Sequence, residues 1–179
     1  MTSPWHQTLV LCIVLLATVQ LQPCTAAEVD VYLLAGQSNM RGMGKVVEIA
    51  EQAPEQIPNA FTVWRGQAHP LSLGLSSDDK KAANKPFGPE IGFALELATT
   101  EHPVYLIKFA ANGMPLHPGW SGNTWRGTDP LTSGTNFYPG TTPEDANKGT
   151  LYSKMLDQFT SQIAALSKAG NTPVVRGFV

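Results

Sequence analysis

Residues 29–35 are apolar on both alternate faces, and no other stretch restricts the fold as strongly. A strand with two buried faces needs helices above and below it, which is the setting of a parallel sheet. The run stops at Gly36, and Gln37-Ser38-Asn39-Met40 follows. A serine between two side-chain amides therefore leaves a buried strand at an exposed turn. Further on, Phe87-Gly88-Pro89-Glu90 opens a helix predicted to reach about residue 100. Pro89 suits the first helical turn, and Glu90 suits the positive end of the helix dipole. Ile91, Ala94, Leu95 and Ala98 fall at helical spacing, with Phe93 and Leu97 broadening the buried stripe. Pro103 pushes His102 out of helical geometry, and residues 104–110 read as a second buried strand. A helix between two buried strands predicts a right-handed β-α-β crossover.

A second helix is predicted from Thr150, as N-cap, to about residue 166, with Leu151, Met155, Phe159 and Ile163 along one face and Gly170 just past its end. Residues 173–179 read as a third buried strand. The fold class expected is α/β, in three layers around a parallel sheet. Two stretches interrupt this pattern. Residues 41–86 read as an insertion over one sheet edge, with a short strand or turn at 46–50, a strand at 61–64 and a polar loop at 76–85. Residues 111–149 form a long loop carrying Trp120, Trp125, Phe137 and Tyr138. Loops of that length are functional or disordered, and its aromatic content favours order.

A chain of 179 residues holds one domain, and its 14 Pro and 16 Gly predict many irregular connections. A formal net charge of −2 supplies no basic field for nucleic acid or an anionic membrane. The expected partner is small and weakly charged. The apolar run 8–21, followed by Gln22-Pro23-Cys24-Thr25-Ala26-Ala27, predicts a signal peptide over residues 1–27, and hence a secreted or periplasmic product with no stable membrane insertion after cleavage. Its n-region has no Lys or Arg; the alternative, an uncleaved anchor, needs roughly 20 apolar residues, more than this run provides. Cys12 and Cys24 both lie in that segment, so residues 28–179 have neither a disulfide nor a thiol ligand.

A serine hydroxyl becomes a nucleophile when a base takes its proton and donors stabilise the oxyanion. Ligands of open α/β sheets bind beyond the carboxyl ends of the strands, where Ser38 is expected. The second strand ends in Ala111-Asn112-Gly113-Met114, which puts the Gly113 N–H on the same edge. Taken alone, Gly36-Gln37-Ser38 reads better as an ordinary polar turn. The histidines past residue 27 are His69, His102 and His117, each followed by proline. His102 precedes the second strand and belongs at the amino edge, about 20 Å from the serine at 3.3 Å per residue. His69 falls in the insertion. His117 falls on the serine's edge, as a base or, in the preferred reading, as a solvated loop residue. No metal-ligand spacing occurs, Asp78-Asp79 being a solvated charge run, and no phosphate-loop spacing is met. Trp120 and its aromatic neighbours either stack on sugar rings or pack over the sheet edge.

The run Val31-Tyr32-Leu33-Leu34-Ala35-Gly36-Gln37-Ser38-Asn39-Met40-Arg41-Gly42 resembles the first block of SGNH hydrolases of the sialate O-acetylesterase and carbohydrate esterase family six type, where G-Q-S-N-M-x-G carries the catalytic serine. The resemblance extends to Phe87-Gly88-Pro89-Glu90, to residues 107–113 and to residues 174–179. It implies a flavodoxin-like three-layer sandwich and removal of acetyl groups from a carbohydrate without cofactor or metal. It also implies Ser38 as nucleophile and oxyanion donor, Gly113 as second donor, and Gln37, Asn39, Asn112 and Trp120 as substrate-binding residues. The family usually has G-G-[TS] where Asn112-Gly113-Met114 stands. Its W-x-Q-G-E block, which adds to the oxyanion hole, and its D-x-x-H block, which supplies base and acid, have no counterpart in this sequence. By resemblance, then, residues 28–179 are an esterase domain incomplete at the C-terminus and weak or inactive alone. The alternative is a non-catalytic carbohydrate-binding or vestigial domain.

Overall fold

The computed structural model describes residues 27–75, 86–121, 124–125, 127 and 134–179. The expected signal segment up to residue 26, with both cysteines, and the loop 76–85 lie outside the described residues. The strand expected at 29–35 is β1 (Ala27–Gly36). It is followed at once by the four-residue helix α1 (Ser38–Arg41), the short β2 (Gly44–Lys45) and a 3-10 turn over Val46–Glu48. A hairpin comes next, β3 (Gln56–Trp64) and β4 (Gln67–Ser72). Then follow β5 (Pro86–Phe87), α2 (Pro89–Leu97) and β6 (Val104–Ala110). The aromatic loop holds a miniature hairpin, β7 (Trp120–Ser121) with β8 (Thr124–Trp125). Helix α3 (Thr150–Lys168) and strand β9 (Asn171–Phe178) complete the fold.

Five strands form one sheet in the order β4-β3-β6-β1-β9. β6 and β9 flank β1 in parallel, β3 runs parallel to β6, and β4 alone is antiparallel. The triplet β6-β1-β9 has the chain order second, first, third that doubly wound sheets show at their switch point. Side chains alternate across it. Leu34 and Leu106 point to the layer of α2, where Ile91 and Ala94 are buried. Val31 and Ile107 point to the layer of α3, where Met155, Phe159 and Leu166 are buried. The fold class is therefore α/β in three layers, as the two-faced apolar strands require.

Register levels the carboxyl ends of β6, β1 and β9. Gly36 stands opposite Ala110, and the Ala111 N–H donates to the Gly36 carbonyl at 3.0 Å. On the other side the Ala35 N–H donates to the Val179 carbonyl at 2.8 Å, and the Val179 N–H donates to the Leu33 carbonyl at 2.8 Å.

The structure departs from expectation in several places. The insertion does cover a sheet edge, but by adding the two strands of a hairpin; β4 is polar and contains Pro70, which an edge strand accommodates. Helix α2 ends at Leu97 and not near residue 100, because the Thr99 N–H donates to the His102 carbonyl at 3.1 Å and the Thr99 hydroxyl accepts the His102 N–H at 3.0 Å. Leu95 and Leu97 are exposed, since so short a helix buries only the face of Glu90, Ile91 and Ala94. Glu90 itself faces inward. Gly149, not Thr150, is the N-cap of α3, the Thr150 hydroxyl being bound to the Gly134 carbonyl. β9 is the sheet's edge among the described residues: Val175 is 47% and Phe178 63% exposed, so the third strand is not buried on both faces.

Candidate active site

β1 delivers Ser38 to the carboxyl edge. Helix α1 starts at the serine, which is half-buried, while Gln37 and Asn39 on either side are exposed. The turn holds itself with only two backbone bonds, Arg41 N–H to the Gln37 carbonyl at 2.8 Å and Gly42 N–H to the Ser38 carbonyl at 3.0 Å. A single turn is unstable in isolation because nucleation costs more than one or two bonds return. Its order comes from what lies beneath it.

Beneath it is a buried ion pair. Lys108 Nζ on β6 lies 2.7 Å from Glu90 Oε2 on α2, with the side chains 3% and 5% exposed. The same Nζ donates to the Arg41 carbonyl at 2.8 Å. Glu90 Oε1 accepts the Gly88 N–H at 3.1 Å. Two glycines let these segments meet. Gly42 has φ of +98°, and a Cβ there would lie 2.5 Å from the Gly88 nitrogen. A Cβ on Gly88 would lie 2.5 Å from Glu90 Oε2 and 3.1 Å from Lys108 Nζ. The antiparallel pairing of β2 with β5, Gly44 opposite Phe87, fastens the same two segments one step further along. Sequence reasoning singled out Phe87-Gly88-Pro89-Glu90 but gave Glu90 only a helix-dipole role and left Lys108 unremarked. The signal available was a lysine inside an otherwise apolar strand.

Asn112 and Gly113 follow β6 on the same edge, both exposed, with Gly113 at φ +66°, in the left-handed region that favours glycine. The histidines fall elsewhere. His102 sits beside Asp30, Nδ1 to Oδ2 3.6 Å, at the amino end of the sheet; six residues of β1 separate that point from Gly36, about 20 Å. His69 is on β4, against the Trp64 ring, with β3 and β6 between it and β1. His117 is exposed, and its Nδ1 accepts the Gly119 N–H at 2.9 Å. That bond puts the ring proton of the neutral imidazole on Nε2, leaving no free lone pair for a base. None of these three is held as a partner for Ser38.

Two further features share this edge. A cavity of about 600 Å³ opens between the ends of β1 and β9 on the α3 side. Gly36, Gln37, Met114, Phe137, Met155 and Phe178 are among its walls, which are mostly apolar. The aromatic loop then presents Trp120 and Trp125, 40% and 48% exposed, with ring centroids 5.8 Å apart. His117 lies 5.4 Å from Trp125. The Trp120 side of this platform is anchored: the fully buried Asn136 donates to the Trp120 carbonyl at 2.8 Å and accepts the Tyr138 N–H at 3.1 Å. Trp125 was not among the substrate-binding residues expected from sequence, and its pairing with Trp120 follows from the β7–β8 register. Among the described residues no group of three or more His, Cys, Asp or Glu is gathered as metal ligands. No helix among them is long and apolar enough to cross a membrane.

With this geometry in place, the comparisons identify a family. The family model described as "Carbohydrate esterase, sialic acid-specific acetylesterase" matches residues 28–171. The chain belongs to that family. Among solved structures it is similar to a protein from Arabidopsis thaliana, at 18% identity and TM-score 0.48, over 83% of this chain and 55% of that one. It is also similar to NanS, at 12% identity and TM-score 0.42, over 83% of this chain and 52% of NanS. The chain thus spans about half the length of these two structures. No curated protein matches it.

Proposed function

We propose that this chain carries the nucleophile half of a carbohydrate O-acetylesterase site, with Ser38 as the attacking residue. Its membership of the carbohydrate esterase family supports removal of O-acetyl groups in general terms; the serine and its partners are our reading. The observation that carries it is the placement of Ser38 on a braced single turn at the carboxyl end of β1, where β6 and β9 diverge to either side. Ser38 Oγ attacks the acetyl carbonyl carbon, and its proton passes to a base. The carbonyl oxygen becomes an oxyanion that accepts from the Ser38 and Gly113 N–H groups. Collapse expels the sugar hydroxyl, which takes up the proton, and leaves an acetyl-serine for water to hydrolyse. Gln37, Asn39 and Asn112 supply exposed amides around the serine for sugar hydroxyls. Trp120, with Trp125, supplies a stacking surface. The apolar cavity beside Gln37 offers a dry wall for the acetyl methyl.

None of His69, His102 and His117 is placed to serve as the base, so the turnover expected of these 179 residues is low. Loss of the base in a serine triad costs several orders of magnitude. The export suggested by residues 1–27 fits a substrate of extracellular saccharides, and is part of the same proposal. The test is hydrolysis of an aryl acetate by the purified chain and by Ser38→Ala. A slow rate that vanishes in the variant supports the assignment; equal rates overturn it. A second reading, a saccharide-binding domain without chemistry, is favoured by the exposed tryptophan pair. Equal rates together with quenching of tryptophan fluorescence by an acetylated oligosaccharide would establish it.

A further inference from the structure

We propose that Lys108 and Glu90 are positioning residues for Ser38: a buried ion pair that sets the serine's place by holding the carbonyl end of the turn that carries it. The inference rests on Ser38 being the nucleophile. The last carbonyls of any helix have no partner within it, and in α1 the Arg41 carbonyl is taken by the Lys108 ammonium at 2.8 Å. That is a charge-assisted bond, the stronger kind, from a donor that is itself buried. The ammonium is in turn fixed by Glu90 at 2.7 Å. Glu90 is fixed by the Gly88 N–H and by its seat at the start of α2.

The brace reaches both layers of the fold. The Lys108 carbonyl accepts from Gln158 Nε2 of α3 at 2.8 Å, so β6 links α3, α2 and the serine turn through one residue. Gly42 and Gly88 pack backbone to backbone beside it, leaving the turn no room to slide toward α2. A misplacement of about 1 Å at a reacting group can cost about 10²-fold in rate, so a device that fixes the Arg41 carbonyl acts on kcat rather than on substrate affinity.

A pair that merely stabilised the core would be replaceable by apolar side chains of similar size, since swapping a whole buried ion pair for hydrophobic residues is often neutral. The double variant Glu90→Leu with Lys108→Met makes that replacement and removes the donor to Arg41. We expect it to melt near the wild-type temperature, with Ser38-dependent kcat on an aryl acetate down about 10²-fold and KM little changed. Amide hydrogen exchange at Arg41 and Gly42 should quicken in the double variant relative to β1. Wild-type kcat in a folded double variant overturns the proposal. The milder Glu90→Gln, which keeps one amide oxygen for Lys108 but sets its NH2 against the Gly88 N–H, covers the case of a double variant that does not fold. Its kcat and exchange should fall between wild type and the double variant, and wild-type values for both overturn the proposal. If the wild-type chain shows no Ser38-dependent hydrolysis, the esterase assignment fails. Exchange at Arg41 and Gly42 then decides: unchanged rates in the variants overturn the brace, and faster rates support it.

Discussion

Strand β1 has charged groups at both ends, and the two ends use them in opposite ways. At the amino end, Arg176 bridges Asp30 and Glu28 at 2.6 Å each, and His102 approaches Asp30 from the other side. Apart from Asp30, these groups are largely open to water: the Arg176 side chain is 42% and that of Glu28 60% exposed. The two acids push the Arg176 pKa up, with the hydrogen bond to Asp30 as the main cause, but water and salt screen the gain. At the carboxyl end, Glu90 and Lys108 are paired at 2.7 Å and sealed from water, with side chains 5% and 3% exposed. The amino end pairs a histidine with an aspartate, on the edge opposite Ser38. The carboxyl end contains the serine and spends its buried charges on holding the turn. Sharing a strand with an acid and a histidine is thus no guide to catalysis; edge and burial decide.

The largest expected effect breaks the carboxyl end alone. Lys108→Met leaves Glu90 buried without its cation and should cost about 3–5 kcal/mol in urea unfolding. Gly42→Ala comes next. A side chain at φ +98° set against the Gly88 backbone should cost about 1–3 kcal/mol and take Ser38-dependent hydrolysis with it, read from melting and from aryl acetate assays. Ser38→Ala should separate the two properties, abolishing hydrolysis while shifting stability by less than about 0.5 kcal/mol. At the amino end, Arg176→Ala should move the unfolding midpoint only slightly, and less at about 1 M salt than at low salt.

The smallest effect lies outside the comparison and calibrates it. Asp145 accepts from the Thr141 and Asn147 backbone N–H groups, which hold its carboxyl below the usual 3.8. The stability this adds is complete above that ordinary value and is lost as pH falls through the lowered one. Exchange at the Asn147 amide should therefore quicken only in strong acid, without global unfolding.

The layers were legible because β1, β6 and α3 announce themselves by periodicity: residues 104–110 were expected as a strand and are one, and Met155 and Phe159 are buried where a four-residue spacing put them. Helix α2 was legible in kind but not in length or face, since a turn at Thr99 and His102 competes with its last turn. β4 escaped because Gln67–Ser72 is polar, and its strand character comes from pairing with β3 rather than from its own residues. Of the candidate site, the place of Ser38 at a strand end was legible, as was the common edge with Gly113. The brace was not. A glutamate in a first helical turn and a lysine near a strand end each suggest solvent when read singly. Only the β1–β6 register and the docking of α2 turn them toward each other. The exclusion of His102 was a matter of counting residues along a strand; that of His117 required the hydrogen bond to its Nδ1.

Helix α3 starts without a capping side chain. Its opening amides are met instead by the aromatic loop: the Thr150 N–H donates to the Gly134 carbonyl at 2.9 Å and the Leu151 N–H to the Asn136 carbonyl at 3.2 Å. Gly149 is pressed so closely on Asn136 that no side chain fits between them. The loop is therefore a borrowed cap, and its ordering is linked to that of the helix. On the saccharide-binding role proposed for Trp120, a sugar held there should stabilise the loop through Asn136 and, by the same linkage, slow opening of the first turn of α3. The exchange rates of Thr150 and Leu151, two amides inside the helix start, would then report on the occupancy of an exposed surface.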